Sequence, residues 1–162
     1  TQTVVGSISY APFSGPASLT YGNGQKVSYT RDSNRRISIV QGPAVNLEFR
    51  FDWQGNIIEE GPPSASPNNA FAYDAMYRLT EHRTNGNVIE AYTYDKIGNR
   101  ASKQRGAVQS YSYDYANHGH RVQSIGGDAR SYDANGNTSA MVRLGTQMSA
   151  EYNARNRLVG YA

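Results

Sequence analysis

A chain of 162 residues, 38% hydrophobic and 11% aromatic with 13 tyrosines, has the material for one domain and too many rings for a disordered polymer. The absence of cysteine excludes disulfides and thiolate metal sites, and no apolar run approaches the roughly 20 residues of a membrane-spanning helix. A net charge of +3, spread along the chain, argues against nucleic acid as a partner.

The opening residues, TQTVVGSISY, lack the basic and apolar regions of a signal peptide, and a start without Met is read as a segment of a larger protein. Tyr10-Ala11 then opens a phrase that recurs. Asp32, Asp52, Asp74, Asp95, Asp114 and Asp133, with Asn153 in the same role, follow one another at intervals of 20, 22, 21, 19, 19 and 20 residues. Six of the seven aspartates share this phase, Asp128 alone standing outside it, which marks a true internal repeat.

Each repeat reads as a hairpin. Immediately before the seven anchors stand Arg31, Phe51, Tyr73, Tyr94, Tyr113, Tyr132 and Tyr152. Two residues further back come Tyr29, Phe49, Phe71, Tyr92, Tyr111, Arg130 and Ala150, and the positions between are Thr30, Arg50, Ala72, Thr93, Ser112, Ser131 and Glu151. Rings on one face and small or polar residues on the other make period-two strands. Three residues after the anchor come Gly55, Gly98 and Gly136, with Asn156 in the last copy. A type I turn followed by a residue at positive φ closes a short bulged hairpin, and the Asp side chain accepts backbone N–H groups inside it. Arg35 and Tyr77 hold the glycine slot in two copies, where they are strained or the turn differs. In YDYANHGHRV two extra residues lengthen the loop.

A shorter strand returns through Ile37 and Ile39, Ile57, Leu79, Val122 and Leu158, and ends in a second turn such as TNGN or IGGDA. Fifteen of the 16 glycines are read in one or other turn, Gly6 being left over. The proline-rich GPPSASPNNA, residues 61–70, is read as a surface loop at a return turn. No segment has helical periodicity. The fold class is therefore all-β: residues 1–162 form a single array of about eight hairpin repeats. Open sheets beyond roughly ten strands curl or split, so a long, curled antiparallel sheet is expected.

Tyr-Asp, two free residues, then Gly-Asn or Gly-Arg resembles the YD repeat of Rhs proteins, of the C component of Tc toxins and of teneurins. YDAMYRLTEHRTNGNVIEAYTYDKIGNRASKQ is close to a family consensus, and SYAPFSGPASLTYGNGQKVSYTRDSNRRI resembles a longer motif of the same proteins. Ala11, Arg35 and Tyr77 depart from the pattern, and the family's Asp-Pro-Leu-Gly-Leu-like segment, which closes the shell and carries self-cleavage, does not occur. The resemblance implies a non-enzymatic, structural role. The chain would be a panel in the wall of a β-spiral or hollow shell enclosing a C-terminal toxin cargo, in a secreted or cell-surface bacterial protein. Its partners would be further YD repeats at the open sheet edges. The alternatives are a carbohydrate-binding or adhesive surface module and a short array that joins edge to edge into a filament.

Other residues invite sharper readings. His118 and His120 are close enough for two metal ligands, but no third is near in sequence, so no metal site and no cofactor is assigned. Glu59-Glu60 and the ladder of aspartates suggest calcium only if stacked turns bring several oxygens together; turn capping is the simpler use. No GxSxG elbow accompanies the serines, and no catalytic residue is assigned. Thirteen Arg against three Lys suits stacking on rings and pairing with carboxylates, and equally an anionic glycan.

Overall fold

The computed structural model describes residues 4–63 and 65–162, with strands and turns but no helix among them. The chain divides into two units between Ile89 and Glu90. The first holds β1 (Val5–Tyr10), β2 (Pro16–Tyr21), β3 (Lys26–Arg31), β4 (Ile37–Gly42), β5 (Val45–Phe51), β6 (Ile57–Gly61), β7 (Asn69–Tyr73) and β8 (Leu79–Thr84). They pair antiparallel in chain order. The division falls inside β9 (Asn87–Tyr94).

The second unit continues with β10 (Arg100–Arg105), β11 (Ala107–Asp114), β12 (His118–Ile125), β13 (Asp128–Tyr132), β14 (Thr138–Arg143), β15 (Thr146–Tyr152) and β16 (Leu158–Tyr161), again antiparallel in chain order. A sheet laid down hairpin by hairpin needs no crossover, because antiparallel neighbours are joined by short turns. The class is thus all-β, as the alternation requires.

That alternation survives in burial. Phe49, Phe51, Phe71, Tyr73, Tyr92, Tyr94, Tyr111 and Tyr132 are half-buried, whereas Arg50, Ala72, Thr93, Ser112 and Ser131 between them are exposed. No described side chain is fully buried, and Tyr113, 9% exposed, is the one buried hydrophobic residue among them. Stability therefore rests on a stripe of half-covered rings and on cross-strand pairs, each contributing roughly 0.2–1 kcal/mol.

Six hairpins share one register. Arg31 pairs with Ile37, Phe51 with Ile57, Tyr73 with Leu79, Tyr94 with Arg100, Tyr132 with Thr138 and Tyr152 with Leu158, each beside a bulge. The seventh differs, and not as a longer loop. Asp114 pairs with His118 across three turn residues, and the additional residues are taken up by register shifts beside β12, where Tyr113 pairs with Val122. Gly119, His120 and Arg121 fall in the irregularity between these two pairs, opposite no residue of β11, and the Gly119 carbonyl is met by the Asn99 amide instead.

Three other expectations change. The returning strand is the shorter one in only three of the seven hairpins from β3 onward, namely those ending in β6, β10 and β16. Gly119 and Gly160 lie inside β12 and β16 instead of in turns. The connection read at 61–70 is narrower, since Gly61 ends β6 and Asn69 begins β7; Ser64 within it lies outside the described residues. In the degenerate first copy, Ser14 N–H still donates to the Ala11 carbonyl at 3.2 Å, but the positive φ (53°) falls on Phe13, after Pro12. Proline second and positive φ third is the type II arrangement.

Candidate functional site

The repeated feature is the turn after each strand of rings. Asp32 N–H donates to the Arg36 carbonyl and Arg35 N–H to the Asp32 carbonyl, both at 2.9 Å. The same pair recurs at Asp52, Asp74, Asp95, Asp133 and Asn153. The anchor's Oδ1 then accepts backbone N–H groups two and four residues on, from Asn34 and Arg36 to Asp32, Met76 and Arg78 to Asp74, Ile97 and Asn99 to Asp95, and Asn135 and Asn137 to Asp133. Asp52 accepts from Gly55 and Asn56, and Asn153 from Arg155 and Arg157. Asp114 departs from the set, taking its donors from Asn117 and His118.

Gly55, Gly98 and Gly136 stand at φ of 101°, 94° and 84°. Arg35, Tyr77 and Asn156 take the same position at 64°, 60° and 55°, so their turns keep the hydrogen bonds and the non-glycine residues carry the strain.

The fourth residue after the anchor is a partner that the sequence reading passed over. Arg36 Nε and Arg78 Nε reach Oδ2 of Asp32 and Asp74 at 2.7 Å. Asn56, Asn99 and Asn137 do the same with their amides for Asp52, Asp95 and Asp133, at 2.8–2.9 Å. The trace was visible, since this position holds only Arg, Asn or His in the seven copies. Each aspartate so placed gives one oxygen to backbone donors and the other to a side chain, which is the capping use. His118 and His120 also part company, His118 facing Asp114 and His120 facing Asn99.

These donors set the charge state. At Asp32, Asp52, Asp95 and Asp114 partial desolvation pushes the carboxyl up, but the hydrogen bonds of Arg36, Asn56, Tyr115 with Asn99, and His118 outweigh it. At Asp74 the Arg78 N–H is the largest influence and at Asp133 the Asn137 amide. All six titrate below the ordinary carboxylate value.

Neighbouring repeats are then stitched together within each unit. Arg36 donates to the Asp52 carbonyl at 3.2 Å and lies 4.3 Å from the centre of the Phe51 ring. Asn99, 8% exposed, donates to the Gly119 carbonyl at 2.7 Å, and Tyr115 reaches back to Asp95 at 2.8 Å. Asn137 donates to Asn156 at 3.0 Å. The anchor tyrosines join the same scheme. Tyr73, Tyr113 and Tyr132 donate their hydroxyls to the carbonyls of Ile57, Arg100 and Val122 at 2.8, 2.9 and 2.6 Å, in the preceding hairpin. The backbone thus claims these hydroxyls. Tyr94 and Tyr152 occupy the equivalent strand ends, half-buried. Desolvation, then the Asp52 charge, raises the Tyr73 phenol above its usual value.

The arrangement repeats a hydrogen-bonded join from one hairpin to the next. The family model for the teneurin YD-shell matches residues 9–161. The chain belongs to that family.

No curated protein matches the sequence. Solved structures do match this YD-shell chain. The Tc holotoxin pore of Photorhabdus luminescens, carrying a TccC3 variant, superposes with a TM-score of 0.61 at 14% identity over 97% of this chain and 11% of that one. The crystal structure of TcdB2-TccC3 gives 0.61 at 15% identity, and that of TcdB2-TccC3-Cdc42 gives 0.62 at 14%, with the same coverage of 97% and 11%. Identities this low establish a shared fold, and the chain spans only about a ninth of those proteins. The YD-shell assignment makes the role of these repeats structural.

Proposed function

We propose that this chain is part of the wall of a hollow β-shell that encloses a toxin cargo, in a secreted or cell-surface protein. Residues 1–162 act in it as a single repeat array of about eight hairpins. Asp32, Asp52, Asp74, Asp95, Asp114, Asp133 and Asn153 are its turn anchors, Tyr73, Tyr94, Tyr113, Tyr132 and Tyr152 its ring anchors, and Gly55, Gly98 and Gly136 its reversal points. The segment itself performs no catalysis.

The observation that carries this reading is the bond repeated from one hairpin to the next, in a chain whose residues 9–161 match the YD-shell family. Among the described residues β1 pairs only with β2, and β16 only with β15. Val5, Ile8 and Tyr10 on β1, and Leu158, Val159 and Tyr161 on β16, are exposed. Bare edges of this kind invite further strands. Additional YD repeats fit them, having the same hairpin geometry. No helix among the described residues is long and apolar enough to cross a membrane.

The flanking sequence of the parent gene and a protease challenge of the parent protein test the proposal together. The gene should carry further YD copies and a downstream domain. That domain should survive limited proteolysis inside the intact protein and be digested when expressed alone. Equal rates of cleavage in the two settings would reject encapsulation.

A further inference from the structure

β10 carries three cations, Arg100, Lys103 and Arg105. They line a cavity of about 430 Å³ together with Ala107, Gln109 and Tyr111 of β11. The ladder sets Gln109 beside Lys103 and Ala107 beside Arg105. The volume is that of a small-molecule site.

One carboxylate answers two of the three cations. Glu90 lies 2.9 Å from Lys103 Nζ and 3.7 Å from Arg105 Nε, and it also accepts the Tyr92 hydroxyl. Arg100 has no ion pair among the described residues. It donates to the Tyr111 hydroxyl at 2.8 Å and lies 4.6 and 5.8 Å from the ring centres of Tyr111 and Tyr92. Its Nε is buried without a hydrogen-bond partner. Arg36 and Arg78 show the contrast, since their Nε atoms each meet an aspartate. A half-buried guanidinium without a counter-charge is costly, and its planar fork matches an oxyanion. Lys103, Arg100 and Arg105 against Glu90 leave an excess of two positive charges at the cavity wall.

We infer that the cavity over the paired strands β10 and β11 binds a doubly charged oxyanion, a phosphate or sulfate group that meets Arg100, Lys103 and Arg105, either free or carried on a small ring-bearing molecule. Gln109 adds an amide donor and Tyr111 an apolar wall. This site is independent of the shell reading, since it needs only the hairpins β9–β11.

The test is a titration of the whole ¹⁵N-labelled chain with inorganic phosphate, at a pH where it is a dianion and at ionic strength held constant with sodium chloride. The Arg100 Nε–H resonance should move saturably. Arg105, whose side chain is 73% exposed, is replaced without disturbing the fold, and Arg105→Gln should weaken binding about tenfold, the loss of one charge-assisted contact. Phenyl phosphate identifies the source: tighter binding than inorganic phosphate assigns the site to a ring-bearing phosphate ester, and equal binding assigns it to the free anion. A stationary Arg100 resonance, an equal response to chloride or to phenol, or an Arg105→Gln chain that titrates like the parent would overturn the inference.

Discussion

Arg36 Nε donates to Asp32 Oδ2 at 2.7 Å while the same guanidinium covers the ring of Phe51 at 4.3 Å. One side chain thus closes its own turn and clamps the next hairpin. Arg36→Lys keeps the charge but gives up the planar stack and the directed Nε bond. Loss of the stack alone should lower stability by about 1 kcal/mol. Urea denaturation followed by circular dichroism checks this, and an unchanged midpoint would show that the clamp contributes nothing.

Tyr113→Phe and Tyr132→Phe remove hydroxyls that donate to the Arg100 and Val122 carbonyls and leave the rings in place. Each should cost about 1 kcal/mol, the net worth of an internal hydrogen bond. Amide exchange should speed up in the preceding hairpin as well as in the mutated one, because the bond spans both. Faster exchange confined to the mutated hairpin would contradict the join.

Tyr77 sits at φ 60° with 54% of its surface exposed, in the slot where Gly98 sits at 94°. A bulky residue in the left-handed region is strained and glycine is not. Tyr77→Gly should therefore stabilise the chain by about 1 kcal/mol, and Gly98→Ala should destabilise it by a similar amount. Thermal unfolding of the two variants reads both signs, and a loss of stability in Tyr77→Gly would assign the ring a packing role.

Acid should unfold the array. The six turn aspartates titrate below their ordinary value of 3.8 in the folded chain, so the unfolded chain binds protons more readily. Their contribution is fully present above about pH 5 and is lost progressively as pH falls past the unfolded value and through the lower folded-state values. Thermal midpoints should be level from neutrality down to about pH 5 and then drop steeply. A midpoint rising toward pH 3 would show that the carboxylates are not held by their turns.

The hairpins were legible because their cause is local. Alternation in AYTYD puts Tyr92 and Tyr94 on one face, and the residue at positive φ three positions later reverses the chain. The hydroxyl of Tyr113 was not legible in the same way, because its acceptor, the Arg100 carbonyl, lies 13 residues back and is set by the stagger of one hairpin on the next. The additional residues after Asp114 were read as loop because spacing counts residues without saying where a ladder absorbs them. Asn99 was read as part of a turn phrase. Its contacts to Asp95, Gly119 and His120 make it the best-buried polar residue among those described.

The sequence by itself determined the repeat, the strands, the turn chemistry and the YD resemblance, since each follows from periodicity over a few residues and from the steric limits of φ. Only the tertiary structure decided what joins one repeat to the next, and that Arg100 faces rings and a cavity where Arg36 and Arg78 face carboxylates. The joins and the contacts of Arg100 with Tyr92 and Tyr111 depend on the offset between neighbouring strands and hairpins, whereas the Arg36 and Arg78 pairs lie within single turns. That offset comes from summed packing and hydrogen bonding between neighbours, and no single repeat records it.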